Sequence, residues 1–282
     1  MTDRSSDPHD NESDPFAIDT SVAHPARIEN VLEGGDDNFT VDREVVDLIS
    51  EALPGGVDTA RVSMKALGKF VGRSVRYLTV EAGVRQFLML GVGIPKPKNV
   101  HEVAQQAAPD ARFVYVGNDP VVLAHSHNLR TSTPEGATAY IHGSLREPQA
   151  VVQHAADTLD FTKPIAVVLP TTLNFVADEA DPHELLARLM KAVPSGSYLV
   201  IAHATYDIEA EGMAEAAERL TRTLSEVWVI RGHGEISRFF DGLDLVSPGL
   251  VQIDEWRPRG EAEPIPLTGR TTPIFGAVAH KP

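Results

Sequence analysis

The sequence predicts an α/β protein in which helices cover both faces of a mostly parallel sheet. Short runs that are apolar at every position indicate strands buried on both faces, as in parallel sheets. Stretches with helical periodicity separate these runs, and this β-α-β-α order is typical of a doubly wound sheet. The chain has 282 residues, 42% of them hydrophobic, which is enough to enclose a sizeable core.

Three regions are predicted along the chain. Residues 1–16, rich in Asp, Ser and Pro, are predicted to form a disordered acidic tail, since they offer little to a core. Residues 17–83 have a helical pattern and predict an N-terminal helical cap. Residues 84–282 alternate between strand and helix patterns and predict one sheet domain.

A long amphipathic helix is predicted to end the cap. Asp58 or Thr59 is expected to cap its N-terminus and Gly83 to follow its C-terminus. The "LPGG" stretch at 53–56 separates it from the helix before. Its buried face is predicted from apolar residues at helical spacing, namely Leu67, Phe70, Val71, Val75 and Leu78.

Four apolar runs then predict the main strands of the sheet. They are Phe87–Leu90, Phe113–Val116, Ile165–Leu169 and Tyr198–Ala202. The crossover helices are predicted at 98–108, 119–130, 181–193 and 208–224. Two later runs, at 226–230 and 272–280, are predicted to add the last strands.

Composition excludes several classes of function. The chain carries 25 basic and 40 acidic residues, a formal charge of −15, which disfavours nucleic acid as a partner. It has no cysteine, and therefore neither disulfides nor thiolate metal sites, as expected of a cytoplasmic protein. No apolar run approaches the roughly 18–20 residues that span a bilayer, and no signal sequence is recognisable, so no membrane role is expected.

A glycine turn follows the first predicted strand, in "FLMLGVGIP" at 87–95. Gly91 and Gly93 lie just past the strand end, where parallel sheets bind ligands. The next strand ends in "VGNDP", which places 117–119 where the ribose of a nucleoside is expected. The third glycine of the dinucleotide motif is absent, which disfavours a pyrophosphate and a nicotinamide-dependent oxidoreductase. The turn favours S-adenosylmethionine, a nucleoside cofactor without phosphate; an ordinary turn without a ligand is the alternative.

Four stretches of the chain resemble an actinobacterial family of S-adenosylmethionine-dependent methyltransferases, formerly a domain of unknown function. The stretches are 24–43, 72–126, 194–205 and 236–258, and the resemblance extends to the closing "HKP". It implies a Rossmann-like class I methyltransferase fold for residues 84–282, with a seven-stranded, mostly parallel sheet and an antiparallel final hairpin. It also implies S-adenosylmethionine as the cofactor and a small molecule as the substrate.

The resemblance also implies which residues bind the cofactor. Residues 117–120 correspond to the ribose region, 142–148 to the loop beside the adenine, and the N-terminal segment to a part that folds over the cofactor. Arg27 is the first candidate for the methionine carboxylate, because a guanidinium can hold a carboxylate by two parallel hydrogen bonds. Pairing of Arg27 with Asp36 or Asp37 is the alternative. The predicted cofactor-binding residues are His24, Arg27, Asn38, Leu90, Gly91, Val92, Gly93, Asn118, Asp119, Pro120, Ser144 and Leu145, with Arg43 as a further polar candidate.

The chain departs from the family pattern at positions that typically carry aspartate. The departures are Met89, Gly117 and Ser144, and Asn174 stands where a histidine is usual. A carboxylate that accepts from ribose hydroxyls makes bonds worth about 1.5–3 kcal/mol each. Its loss at position 117 therefore predicts a cofactor affinity that is lower by about two orders of magnitude.

The predicted function is methyl transfer to an unidentified small molecule. The alternative is a methyltransferase-like protein that has lost catalysis and serves as a binding or regulatory partner. The cofactor supplies the reactivity, so no dedicated catalytic side chain is required. The candidate general bases are His101, His125, His142 and His203, of which His203 is expected to face the cleft. Phe239 and Phe240 are predicted either to line a substrate pocket or to pack in the core.

Overall fold

An eight-stranded sheet forms the centre of the protein. The computed structural model describes residues 18–53, 55–95, 99–126, 132–224, 227–258 and 272–282. The predicted tail lies outside these residues. The strands are β1 (Gln86–Leu90), β2 (Arg112–Gly117), β3 (Ala137–His142), β4 (Ala166–Pro170), β5 (Tyr198–Ala204), β6 (Asp244–Leu245), β7 (Val251–Gln252) and β8 (Ile274–His280).

The strand order is β3-β2-β1-β4-β5-β8-β6, with β7 also paired to β8. Strands β1 to β5 pair in parallel, whereas β8 runs antiparallel to β5, β6 and β7. The order reverses between β1 and β4, and ligands of doubly wound sheets bind beyond the carboxyl ends of the strands at such a reversal. The glycine turn after β1 lies at this point.

Helices cover both faces of the sheet. They are α1 (Pro25–Leu32), α2 (Thr40–Ala52), α3 (Gly56–Val80), α4 (Val100–Ala107), α5 (Pro120–His125), α6 (Pro148–Ala155), α7 (Pro182–Ala192), α8 (Ala210–Thr223) and α9 (His233–Ser237). Successive side chains of β1 point to opposite faces of the sheet and so pack in two different cores. Leu88 and Leu90 face the core beside α6 and α7, and Phe87 and Met89 face the core beneath α3 and α4. No helix among the described residues has the length and apolarity needed to cross a membrane.

The cap contains one helix from the second half of the chain. Apolar side chains of α1, α2 and α3 share a cluster with Leu220 of α8. An isolated parallel bridge between Ala23 and Leu224 closes the same layer. The boundary at residue 83 therefore stays a prediction about folding units, while the packing joins α8 to the cap and α3 to the sheet.

Most predicted elements are confirmed, and four details differ. The sheet has eight strands rather than seven, because the chain before β8 contributes two very short strands. The described part of the run at 226–230, residues 227–230, is not a strand: Val229 N donates instead to Asn174 O at 2.7 Å, and residues 225–226 lie outside the described residues. The helix predicted to start at Asp58 or Thr59 starts earlier, after Gly55. Helix α5 ends at His125, short of the predicted residue 130, and residues 127–131 lie outside the described residues.

Candidate functional site

A cavity opens at the carboxyl ends of the parallel strands. Its floor is formed by the turns after β1, β2, β3 and β4, at residues 90–93, 116–118, 143–146 and 170–172. Cap residues, among them His24 and Glu29 of the α1 region, close it from above. The cavity therefore lies where the sheet topology predicts a ligand.

The glycine turn approaches its neighbours too closely for a larger residue. Gly91 has a φ of 77°, and a Cβ at this position would lie 2.6 Å from Oγ1 of Thr172. Thr172 Oγ1 itself donates to Leu90 O at 2.7 Å, which ties the end of β4 to the end of β1. Thr171, the residue before, has a φ of 59°, an unfavourable conformation for a β-branched side chain. Such strain costs about 1–3 kcal/mol and is concentrated at functional sites.

A carboxylate from the cap lies against this turn. A Cβ at Gly93 would lie 2.6 Å from Oε2 of Glu29, so the glutamate occupies the space that the glycine leaves. Glu29 belongs to α1, and the predictions from sequence did not include it. It brings a negative charge to a turn whose own strand ends in Met89 and Leu90.

At the end of β2, as at Gly93, a side chain from another element fills the space beside a glycine. A Cβ at Gly117 would meet the hydroxyl of Tyr140, and it would lie 3.3 Å from the ring carbon that bears this hydroxyl. Tyr140 comes from β3, where it pairs with Tyr115 of β2. The tyrosine hydroxyl therefore occupies the place of the side chain that Gly117 lacks.

Arg27 makes its contacts within the protein. Its Nε lies 3.2 Å from Oδ2 of Asp119 and 3.7 Å from Oδ1 of Asp42, without the alignment of a hydrogen bond. Its terminal nitrogens donate to the carbonyls of Asp19 and Val22 at 3.2 and 2.6 Å. Arg27 is 4% exposed. These contacts do not support the predicted contact with a methionine carboxylate, and its acidic partners are neither Asp36 nor Asp37.

Asp119 joins the cap to the sheet. It caps α5 by accepting from Val121 N at 2.7 Å, and its second oxygen lies 3.0 Å from Nδ1 of His24. The same Nδ1 lies 3.2 Å from Ala26 N. Because the contact with the Asp119 carboxylate is the shorter of the two, we place the ring proton on Nδ1, directed at Asp119. His24, Arg27, Asp42 and Asp119, which we call the cap cluster, fix α1 above the end of β2.

The structure brings most of the predicted cofactor-binding residues together. Those that line the cavity are His24, Leu90, Gly91, Val92, Gly93, Asn118, Ser144 and Leu145. Arg27, Asp119 and Pro120 are not among the lining residues. Asn38 lies outside it, with its amide nitrogen donating to Asn30 Oδ1 and Gly35 O. Arg43 donates to the side chain of Asn38.

The candidate bases do not line this cavity. His203 is buried, and the expectation that it faces the cleft is wrong: its Nε2 accepts from Arg231 at 2.9 Å and its Nδ1 donates to Ala204 O at 2.8 Å. His101 packs in the core, with Nδ1 3.1 Å from the Tyr115 hydroxyl. His125 pairs with Asp37 at 3.1 Å. His142 is exposed at the end of β3.

The cavity extends from the strand ends into an apolar chamber. Side chains of α1, α2, α3 and α8 line this part, together with the segment before α9. The lining residues are Ile28, Leu32, Ile49, Leu53, Met64, Met213, Ala216, Leu220, Leu224 and Trp228. Phe239 and Phe240 belong to the core beneath β5 and not to this lining.

Asn174 holds the chamber wall in place. Its Nδ2 donates to Val229 O at 2.6 Å, and its Oδ1 accepts from Ala204 N at 3.2 Å. Arg231 adds bonds to the carbonyls of Leu173 and Val176 at 3.0 and 2.9 Å. The segment that carries Trp228 is thus fixed to the ends of β4 and β5. Within the described part of the chain, no group of His, Asp and Glu side chains is arranged to hold a metal ion.

Comparisons with known proteins decide the family. The sequence model described as S-adenosyl methyltransferase matches residues 11–282. The chain belongs to the S-adenosyl methyltransferase family. S-adenosylmethionine is the cofactor of this family, and the fold is that of the class I methyltransferases. None of the curated proteins matches the chain.

Two solved structures share the architecture of this family member. A DUF574 family protein from Streptomyces avermitilis is 39% identical, with a TM-score of 0.88 over 94% of this chain and 100% of that one. A putative methyltransferase from Thermobifida fusca is 33% identical, with a TM-score of 0.84 over 93% of this chain and 96% of that one. The resemblance seen in the sequence is thereby confirmed.

The strand ends fit the cofactor of the family in shape. Gly91 and Gly93 bring backbone to the surface of the cavity, and Asn118 and Ser144 add polar side chains beside it. Two residues beside these strand ends, Glu29 and Tyr140, were not predicted from the sequence. Glu29 stands inside the resembling segment 24–43, and a carboxylate there was a usable signal. Tyr140 gave none, because its position depends on the register of β3 against β2.

Proposed function

We propose that the chain transfers the methyl group of S-adenosylmethionine to a small, mainly apolar molecule held in the chamber. The observation that carries this proposal is the continuity of the cavity. Its glycine turn and strand ends have the character of a nucleoside site, and its other half is lined by aliphatic side chains and Trp228. An acceptor that fills this second half would bury apolar surface at about 25 cal/mol per Å².

The residues of the chain bind and orient the two reactants. S-adenosylmethionine would supply a methyl group on a positively charged sulfur: an acceptor atom would bond to the methyl carbon in line as the carbon–sulfur bond breaks, with S-adenosylhomocysteine as the leaving group. Backbone atoms at Gly91 and Gly93, with Asn118 and Ser144, hold the nucleoside half. The apolar walls fix the acceptor and exclude water, and alignment of this kind is a major source of rate. His24 is the histidine that lines the cavity among the described residues, and we assign to it the reception of a proton from the acceptor.

Calorimetric titration with S-adenosylmethionine and with S-adenosylhomocysteine tests the cofactor half. We expect saturable binding of both. Incubation with methyl-tritiated S-adenosylmethionine and a small-molecule extract tests the acceptor half, and we expect label in the fraction that partitions into organic solvent. A protein that binds neither cofactor form at millimolar concentration would contradict the proposal and favour a protein that has lost catalysis.

A further inference from the structure

Tyr140 has a buried hydroxyl that nothing in the described structure uses. The oxygen is shielded from solvent and has no hydrogen-bond partner among the described residues. Buried polar groups are bonded in the great majority of cases, so an exception needs a physical explanation. The neighbouring phenol on the same face of the sheet shows the usual situation: the Tyr115 hydroxyl accepts from His101 N at 2.9 Å.

The position of this hydroxyl gives the explanation. It stands against the Cα of Gly117, where the side chain of a residue at 117 would begin. Gly117 and Asn118 line the cavity at the end of β2, which is where the ribose of a bound nucleoside is expected. Tyr140 is not itself among the residues that line the cavity. Its hydroxyl lies directly behind Gly117, in the space that an acidic side chain at 117 would begin to fill.

The hydroxyl of Tyr140 keeps the proton that a hydrogen-bond donor needs. Burial, and to a smaller extent the charge of Asp119, raises the pKa of Tyr140, so the phenol keeps its proton throughout the physiological range. A neutral phenol can donate to one ribose hydroxyl and accept from another. It replaces the two charge-assisted bonds of a carboxylate by neutral ones, which are weaker.

We infer that Tyr140 is a ribose-binding residue of the cofactor site, in place of the acidic residue that Gly117 has lost. The inference rests on the proposed function. Gly117 and Tyr140 are complementary in shape. The absence of a side chain at 117 makes room for the hydroxyl, and Tyr140 fills that room.

The test is a comparison of Tyr140→Phe with the wild-type protein, by calorimetric titration with S-adenosylhomocysteine and by thermal unfolding without ligand. We expect the Kd of the variant to rise about two- to tenfold, as for the loss of one neutral hydrogen bond. We expect its unliganded Tm to stay the same or rise, because the substitution removes a buried hydroxyl without a partner. A lower affinity together with an unchanged or higher Tm is the signature of a ligand-binding group.

Tyr115→Phe is the matched control, since it removes a phenol from the neighbouring strand. Its hydroxyl is bonded to His101, so we expect a lower Tm and an unchanged Kd. The double variant Gly117→Asp/Tyr140→Phe introduces a carboxyl side chain whose Cβ would lie 3.3 Å from the nearest ring carbon, and we expect it to recover the affinity lost in Tyr140→Phe.

Three results would overturn the inference. The first is an unchanged Kd in Tyr140→Phe while the wild-type protein binds, which leaves the proposed function intact. The second is a fall in Tm, which would assign the hydroxyl to the protein's own stability. The third is a double variant that binds no better than Tyr140→Phe. A wild-type protein that does not bind would contradict both the inference and the proposed function.

Discussion

Glu29 brings a carboxylate to the glycine turn from a helix of the cap, whereas the strand before the turn ends in Met89 and Leu90. Its Oε2 lies against Gly93, at the edge of the cavity. The cofactor is a cation at its sulfur, and its demethylated product is neutral there. A carboxylate at this turn is therefore expected to distinguish the two by charge.

Substitution Glu29→Gln keeps the size of the side chain and removes its charge. We expect the Kd for S-adenosylmethionine to rise about fivefold, while the Kd for S-adenosylhomocysteine changes less, and calorimetry on both ligands measures the ratio. Glu33, one turn later on the same side of the cap, provides a control through Glu33→Gln. Equal effects of Glu29→Gln on the two ligands would argue against a contact with the positive sulfur.

The folded protein favours the neutral form of the His203 side chain. Burial, with a smaller contribution from Arg231, lowers its pKa to about 4, whereas an unfolded histidine titrates near 6.5. Between these values the unfolded chain binds more protons than the folded one. The stability associated with neutral His203 is therefore complete above about pH 6.5 and is lost as the pH falls toward 4, by on the order of 3 kcal/mol.

Urea unfolding at pH 7 and at pH 4.5 measures this loss. In His203→Gln the amide oxygen can still accept from Arg231, but the side chain does not titrate. We expect the variant to lose less stability than the wild-type protein over the same interval, because the carboxylates contribute equally to both. Identical losses would show that the pH dependence arises elsewhere.

At the scale of elements, the cap cluster connects α1 to α5 through charges that are almost wholly shielded from water. Removing one partner of a buried ion pair leaves the other without compensation, which typically costs 3–5 kcal/mol. The cluster therefore determines whether the cap stays in place over the strand ends. Exposed ion pairs in the same region are expected to matter far less.

The substitution Asp119→Asn tests this difference, because asparagine still caps a helix but carries no charge. We expect the free energy of unfolding to fall by about 3 kcal/mol. Asp37→Asn removes the same charge from an exposed pair with His125, and we expect less than about 1 kcal/mol. Chemical denaturation of both variants gives the comparison, and similar values for the two would contradict the assigned role of the cluster.

At the scale of the whole molecule, different elements build the two halves of the cavity. Strand ends form the half that we assign to the cofactor, and the cap with α8 forms the chamber. Ala216 of α8 lines the chamber, while Ala214 of the same helix is exposed. The two alanines therefore allow the same substitution to be made on the inner and the outer face of one helix.

Ala216→Phe is expected to fill the chamber and leave the strand ends unchanged. We expect the fluorescence enhancement of the apolar probe 1-anilinonaphthalene-8-sulfonate to fall at least several-fold, with the Kd for S-adenosylhomocysteine within about twofold of wild type. Ala214→Phe should resemble the wild-type protein in both measurements. Unaltered probe binding in Ala216→Phe would show that the chamber is not where apolar ligands bind.

The sequence is informative about strands and much less so about contacts between elements. Apolar runs such as Phe87–Leu90 are recognisable because burial on both faces demands them, and the resemblance identified the turns. The run at 226–230 has the same composition but meets its hydrogen-bond needs through Asn174 and Thr221. Glu29 and Tyr140 acquire their positions only when α1 lies over the turn and β3 pairs in register with β2. Such long-range placement is not encoded in any local pattern.

The division of the cavity also has an evolutionary consequence. Under the proposed function, mutations in α8 and the Trp228 segment, which contribute no strand end, are expected to change which molecule is accepted and to leave the binding of the methyl donor unchanged. Relatives with this architecture are then expected to differ in their acceptors through their helical surfaces. Sequence variation among them is expected to concentrate on the inner face of α8, with the turns of the sheet varying least.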